Sequence, residues 1–186
     1  MTLTTLDPTT ALIVIDLQNG IVGLPTATPA AEVIERAATL VDAFRRHDLP
    51  VVLVNVEGGA PGRTEQPRRG VPPAGWSELV PELRQQPSDL LITKRTWGAF
   101  MHTDLDARLR ELGVTQVAIV GISTSAGVES TARQAFELGY NVTLAVDAMT
   151  DMNADAHANS VARIFPRLGE TGTTAEIIDL LDAAGG

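Results

Sequence analysis

The chain contains no cysteine. That absence removes disulfides, thiolate metal centres and a thiol nucleophile together, since each requires a sulfur that can oxidise or ionise. Lysine is almost missing as well: Lys94 is the only one, and every other Lys/Arg position is arginine. Aromatic residues make up 4 % of the chain. No apolar run approaches the ~20 residues of a membrane span, and the N-terminus lacks a basic start followed by a long apolar stretch. A cytoplasmic location is the expectation. Phosphate-cradling glycines are lacking too. There is no Gly-x-Gly-x-x-Gly after the first apolar stretch and no Walker lysine, which leaves dinucleotide binding a weak runner-up. Cationic surface is in deficit, with 14 Lys+Arg against 23 Asp+Glu and a net charge of −9. Nucleic acid and anionic membrane are therefore not expected partners, and a small-molecule substrate is.

What is present is an ordinary globular composition, 44 % hydrophobic over 186 residues. A chain of that length fits one domain, taken as residues 1–186, at ~100–200 residues per domain. Short stretches rich in Val, Ile and Leu at 11–16, 50–55, 90–94, 117–121 and 142–147 read as buried strands, with a weaker one near 169–171. Between them lie segments of helical periodicity at 31–47, 104–112, 130–138, 155–165 and 174–181. Strand and helix alternate along the chain. The expected fold is α/β: a three-layer α/β/α Rossmann-like domain with a six-stranded, mostly parallel sheet. The longest irregular segment, 57–75, is a candidate lid, substrate loop or oligomer contact.

In such sheets ligands collect beyond the carboxyl ends of the strands, near the point where strand order reverses. The residues there are Asp16, Asn55 with Glu57, Lys94, Gly121 with the 123–127 loop, and Asp147. Asp16 closes the run Ala-Leu-Ile-Val-Ile-Asp, where the bland role is a cap or turn aspartate. The following Leu-Gln-Asn-Gly does not open a strong helix. Lys94 ends Leu-Leu-Ile-Thr-Lys, a place where an ammonium needs a carboxylate partner. The two readings of this pair are a structural ion pair stitching strands together, or an acid/base with a tuned pKa. Burial raises a carboxyl pKa and Lys94 lowers it, and the sequence leaves the balance open.

These residues resemble the isochorismatase-like hydrolase family, also called the cysteine hydrolase superfamily, over nearly the whole chain. The likeness rests on Ala-Leu-Ile-Val-Ile-Asp-Leu-Gln-Asn at 11–19 and Thr-Lys-Arg-Thr-Trp-Gly-Ala-Phe at 93–100 with Thr-Asp-Leu behind it. It continues through Gly-Ile-Ser-Thr-Ser-Ala-Gly-Val-Glu-Ser-Thr-Ala-Arg at 121–133 to Asp-Ala at 147–148. The resemblance places the family's usual nucleophilic cysteine at position 127, which here is Gly127. The thiolate chemistry of that family cannot run in this chain. Isochorismatases themselves also carry glycine there, which implies acid catalysis: Asp16 protonates a vinyl ether and water completes its cleavage to pyruvate.

The resemblance makes Asp16, Lys94 and Gly127 the catalytic candidates, with Lys94 as electrostatic partner or substrate-carboxylate ligand and Gly127 as a backbone N–H near a helix start. Gln18, Trp97, Phe100, Ser123, Thr124 and Ser125 are substrate-binding candidates, with Trp97 and Phe100 as an apolar wall. Arg63, Arg68 and Arg69 are candidates for substrate recognition. A non-proline cis peptide is implied at Ser123–Thr124, and a homo-oligomer, dimer or tetramer, is expected. The segment after the second strand reads Asn-Val-Glu-Gly rather than the metal-binding Asp-x-His of nicotinamidase-like relatives. His47, His102 and His157 are far apart, so no metal and no cofactor are expected.

The leading reading is a hydrolase of a small carboxylated, isochorismate-like vinyl ether using Asp16 as general acid/base. The alternatives are a catalytically inactive ligand-binding or interaction protein and a thiol-free amidase using Ser125 or activated water. Ser130 is a further hydroxyl whose packing or capping role is favoured.

Overall fold

The computed structural model describes residues 3–65, 70 and 72–184. Six strands, β1 (Thr10–Ile15), β2 (Val51–Val56), β3 (Leu90–Lys94), β4 (Gln116–Ile122), β5 (Asn141–Thr150) and β6 (Glu170–Gly172), form one sheet in the order β3-β2-β1-β4-β5-β6. Every adjacent pair is parallel, so the sheet is parallel throughout rather than mostly. The helices are α1 (Asn19–Val22), α2 (Ala30–Arg46), α3 (Leu105–Glu111), α4 (Glu129–Glu137), α5 (Ala154–Asn159) and α6 (Thr174–Ala184).

The four inner strands are largely apolar on both faces because both faces are covered, whereas edge strand β3 leaves Leu91 and Thr93 exposed. Ala11, Ile13, Ile15, Val52, Val54, Val117 and Ile119 point into one core, where they meet Leu105 and Leu109 of α3 and Ala132 and Ala135 of α4. Their alternates Leu12, Val14, Val51, Leu53, Ala118 and Val120 face the other core, against Val33, Ala37, Leu40, Val41 and Phe44 of α2 and Ile177 and Leu181 of α6. The period of two along each strand thus feeds two separate cores. Helix α2 places Glu32 in its first turn and Arg45 and Arg46 in its last, matching the helix dipole at both ends.

Two expectations are corrected, while after Asp16 the chain makes only the four-residue turn α1 and no strong helix. The helix expected over 155–165 is instead α5, then a π-helical turn (Ser160–Ile164) and a 3-10 turn (Phe165–Arg167). Pro166 accounts for the break, since it has no N–H to donate and its ring crowds the preceding turn. Strand β5 runs on to Thr150, so Asp147 lies within it rather than at its end. The Asp147 carboxylate accepts from the Thr174 N–H at 2.8 Å and hydroxyl at 3.1 Å, which anchors the start of α6.

The strand order reverses between β1 and β4, and close approach there depends on one glycine. Gly121 has φ +121°, and a Cβ on it would fall 2.1 Å from the Ile15 carbonyl oxygen. A side chain at this position would both strain the backbone and push apart the two strands that carry Asp16 and the 124–128 turn. Gly121→Ala should therefore lower folding stability by about 3 kcal/mol or more, read as a shifted urea midpoint. A midpoint equal to that of the parent protein would contradict this account of the strand contact.

Candidate active site

Asp16 follows β1 directly and takes a left-handed backbone conformation, φ 51°, which aspartate tolerates better than most residues. Its N–H donates to the Val54 carbonyl at 2.9 Å and its own carbonyl accepts from Gln18 N–H at 2.9 Å, so the turn is fixed on both sides. Lys94, at the end of β3, lies two strands away. Adjacent strands are ~4.8 Å apart, so only a long side chain bridges the gap. The Lys94 ammonium donates to Asp16 Oδ2 at 2.7 Å, to the Trp97 carbonyl at 2.9 Å and to the Thr96 carbonyl at 3.2 Å. All three of its donors are used. A substrate carboxylate could bind it only by displacing one of these partners.

The pair is buried, with Asp16 5 % and Lys94 2 % exposed. The Asp16 carboxyl is asymmetric: Oδ2 holds the lysine, while Oδ1 is buried with no hydrogen-bond partner. Burial outweighs the charge and hydrogen bond of Lys94, and the Asp16 pKa is pushed up to about 6. The balance that the sequence left open thus falls on the side of desolvation.

Gly127 sits beside this pair, inside a π-helical turn (Thr124–Val128) that follows β4 and runs into α4. A Cβ at position 127 would lie 3.2 Å from Asp16 Oδ2, 3.7 Å from Lys94 Nζ and 2.8 Å from Ile15 Cγ2. Position 127 therefore faces both charged groups. The non-proline cis peptide is Ile122–Ser123, one residue earlier than expected, because the chain turns directly at the end of β4.

The remaining candidates divide. The Ser123 carbonyl accepts from the N–H groups of Ala126 and Val128, at 3.2 and 3.1 Å, and so holds the turn closed. The Thr124 hydroxyl is buried against His157 Nδ1 at 2.8 Å. Ser125 donates from its N–H, at 2.7 Å, and its hydroxyl, at 2.8 Å, to Asp151 Oδ2. Gln18 is not placed for substrate. Its Oε1 accepts from Val56 N–H at 2.7 Å and its Nε2 donates to the Val56 and Trp76 carbonyls at 3.2 Å, so its amide clasps the two roots of the 57–75 segment. Phe100 is buried in the core against Tyr140, ring centroids 5.8 Å apart, and so forms no wall. Trp97 brings its carbonyl to Lys94 while its side chain is 68 % exposed. Arg63 and His102 are exposed. Arg68 and Arg69 lie outside the described residues.

Asp151 is the residue that sequence reading passed over. It is buried, comes directly after the long β5 and braces Ser125, and because that strand outruns its apolar stretch only the true length of β5 reveals it. Among the described residues no group of three or more His, Asp or Glu is arranged to hold a metal, and no helix is long and apolar enough to cross a membrane.

The geometry can now be set beside known proteins. A model of the isochorismatase domain matches residues 10–176. The chain belongs to the isochorismatase family. It is 43 % identical over 178 residues to the uncharacterized isochorismatase family protein YwoC of Bacillus subtilis, covering 91 % of this chain and 93 % of that one. The structure of an isochorismatase family protein from Burkholderia thailandensis superposes with a TM-score of 0.92 at 41 % identity, over 96 % of this chain and 98 % of the other. A ureidoacrylate amidohydrolase of Variovorax paradoxus is 29 % identical over 177 residues, 78 % of this chain and 70 % of that protein. The protein is thus a hydrolase of the isochorismatase family, with glycine at position 127 beside the Asp16–Lys94 pair.

Two outcomes follow from the pair. A folded Asp16 holds its proton to about pH 6, whereas an unfolded aspartate releases it near 3.8. The folded state therefore binds more protons in that window, and the Asp16 contribution to stability declines by about 3 kcal/mol as pH rises through it. Lys94→Met removes the only group that lowers the Asp16 pKa, so the carboxyl should titrate above 6 by carbon-detected NMR, with stability at neutral pH reduced by about 3 kcal/mol. An unmoved titration would show that Lys94 does not set the charge of Asp16.

Proposed function

We propose that the protein hydrolyses a small carboxylated substrate of the isochorismate type, with Asp16 as general acid. The observation that carries this reading is the Asp16 carboxyl itself: its pKa raised by burial to about 6, anchored through Oδ2 to Lys94, with Oδ1 unpartnered. A proton on Oδ1 has no protein acceptor to hold it, and a substrate that reaches this buried oxygen can take it. In the reaction that proton moves to the terminal carbon of a vinyl ether, forming a C–H bond and an oxocarbenium ion. Water adds to the cation and returns a proton to the Asp16 carboxylate. The resulting hemiketal breaks its C–O bond to release pyruvate and the ring alcohol.

Gly127 supports this role by placing no side chain against Asp16 Oδ2 and Lys94 Nζ. Lys94, with its three donors engaged, acts by position and charge and steadies the carboxylate formed after proton transfer. Trp97, exposed beside the Lys94 anchor, is the apolar contact offered to the substrate.

A second reading is favoured by Ser125, whose hydroxyl has a buried carboxylate partner in Asp151, and by a relative named as an amidohydrolase. That reading is amide hydrolysis without a thiol. The two differ in pH dependence. General-acid cleavage should fall about tenfold per pH unit above 6, while a reaction using Asp16 as base should rise through 6 and level off.

The test assays isochorismate and a panel of small amides with the native protein and Asp16→Asn across pH. Pyruvate release that Asp16→Asn lowers by about 10²-fold or more, with a falling limb near pH 6, is the expected result. Amide turnover alone would replace vinyl-ether cleavage by the second reading, and binding without turnover on either class would leave a ligand-binding protein.

A further inference from the structure

Lys94 reaches Asp16 from a strand at the edge of the sheet, and two of its three acceptors are carbonyls of the residues that come immediately after it, Thr96 and Trp97. The position of the ammonium therefore depends on the strap 96–100. That strap belongs to no strand or helix, and a segment without a hydrogen-bonded ladder must be held by something else. Part of the hold is internal, since the Thr96 hydroxyl donates to the Gly98 carbonyl at 2.9 Å. The Thr103 hydroxyl adds a bond to the Ala99 carbonyl at 2.6 Å, and α4 supplies the partners of two strap N–H groups.

Two successive backbone donors of the strap end on two side chains of that helix. Ala99 N–H donates to the Thr131 hydroxyl at 3.1 Å, and Phe100 N–H donates to Gln134 Oε1 at 3.0 Å. Positions 131 and 134 are three apart and share a helix face, which is the spacing that presents two side chains to adjacent peptide groups. Thr131 is fully buried, and its hydroxyl proton goes to the Gly127 carbonyl at 2.7 Å. A threonine bonding back four residues along its own helix is ordinary. Receiving a strap N–H with the same oxygen is not, because it joins the lysine strap to the turn that carries Gly127. Gln134 is seated equally closely. A Cβ on Gly98 would fall 2.3 Å from its Oε1, so the amide lies directly against the glycine backbone.

We propose that Thr131 and Gln134 are positioning residues that hold the Lys94 ammonium against Asp16 and beside Gly127, acting through the strap 96–100. Their effect is transmitted through backbone carbonyls, and neither touches the reacting groups directly. The consequence for turnover rests on the reaction proposed above. The positional claim does not, because it can be read from the charge state of Asp16 without a substrate.

The experiment is a carbon-detected NMR titration of the Asp16 carboxyl in the native protein and in Thr131→Val, Thr131→Ser, Gln134→Leu and Gly98→Ala, each with a thermal melt. Valine keeps the shape of threonine and removes both hydrogen bonds, while serine restores the hydroxyl. Alanine at 98 acts from the opposite side by displacing the Gln134 amide. As the ammonium withdraws, the carboxylate loses its stabilising partner, and the titration midpoint should rise by about half a pH unit or more in the valine, leucine and alanine variants. Thr131→Ser should titrate with the native protein. Midpoints that stay at the native value in Thr131→Val and Gln134→Leu while their melting temperatures fall would reduce both residues to packing and overturn the proposal. If Thr131→Val does not fold, the leucine and alanine variants decide the matter, since both alter a half-buried amide rather than the core. A raised midpoint with no isochorismate or amide turnover in any variant would uphold the positioning and count against the reaction alone.

Discussion

The structure depends on a buried ion pair that spans the crevice between two non-adjacent strands. Removing a carboxylate and an ammonium from water is costly, and their attraction offsets that cost only when the geometry is good and the other hydrogen-bonding positions are filled. On the lysine side they are filled by Asp16 and two carbonyls. On the aspartate side they are not, for Oδ1 is left without a partner. Burial of that oxygen without a partner disfavours the charged carboxyl, and the Asp16 pKa rises to about 6 in spite of the lysine.

That constraint explains why each element ends where it does. Lysine must cross from β3 to β1 over β2, a distance of ~10 Å between strand axes, and must then offer three divergent donors to one carboxylate oxygen and two carbonyls. The planar fork of arginine does not match that set of acceptors, which gives a physical meaning to the lone lysine in a chain otherwise supplied with arginine. Asp16 must turn its carboxyl inward immediately after the strand, which its left-handed backbone accomplishes. β4 must pass close enough to β1 to bring the 124–128 turn alongside, which requires a glycine at 121.

Much of this was legible in the sequence because it obeys simple periodicities. Strands apolar on both faces, alternating with helices, can be covered only in a parallel three-layer arrangement, and the carboxyl ends of those strands carry Asp16 and Lys94. The balance of burial against charge at Asp16 was not legible, since it depends on distances that only the folded chain sets. The roles of Gln18 and Phe100 were misread for a related reason. Both sit near the site in sequence, yet Gln18 is consumed by backbone partners and Phe100 turns into the core. Asp151 was hidden by the length of β5, which outruns its apolar stretch, and the π-helical turn at 124–128 has no compositional mark that distinguishes it from the first turn of α4.

Glycine at position 127 does not empty the site, because the carboxyl, the cation and the turn beside them come from separate elements, with Thr131 tying the lysine strap to the turn. Asp16 is fixed by β1 and β2, Lys94 by the strap after β3, and the 124–128 turn by Ser123, His157 and Asp151. A thiol at 127 would occupy space within reach of both charges and would compete for Lys94 and for the Asp16 proton. With glycine there, neither charge has a side-chain competitor at that position, and Oδ1 stays buried without a hydrogen-bond partner. What position 127 does not contribute, the neighbouring elements must, and the placement of the ammonium beside Asp16 falls to the contacts that hold the strap after β3.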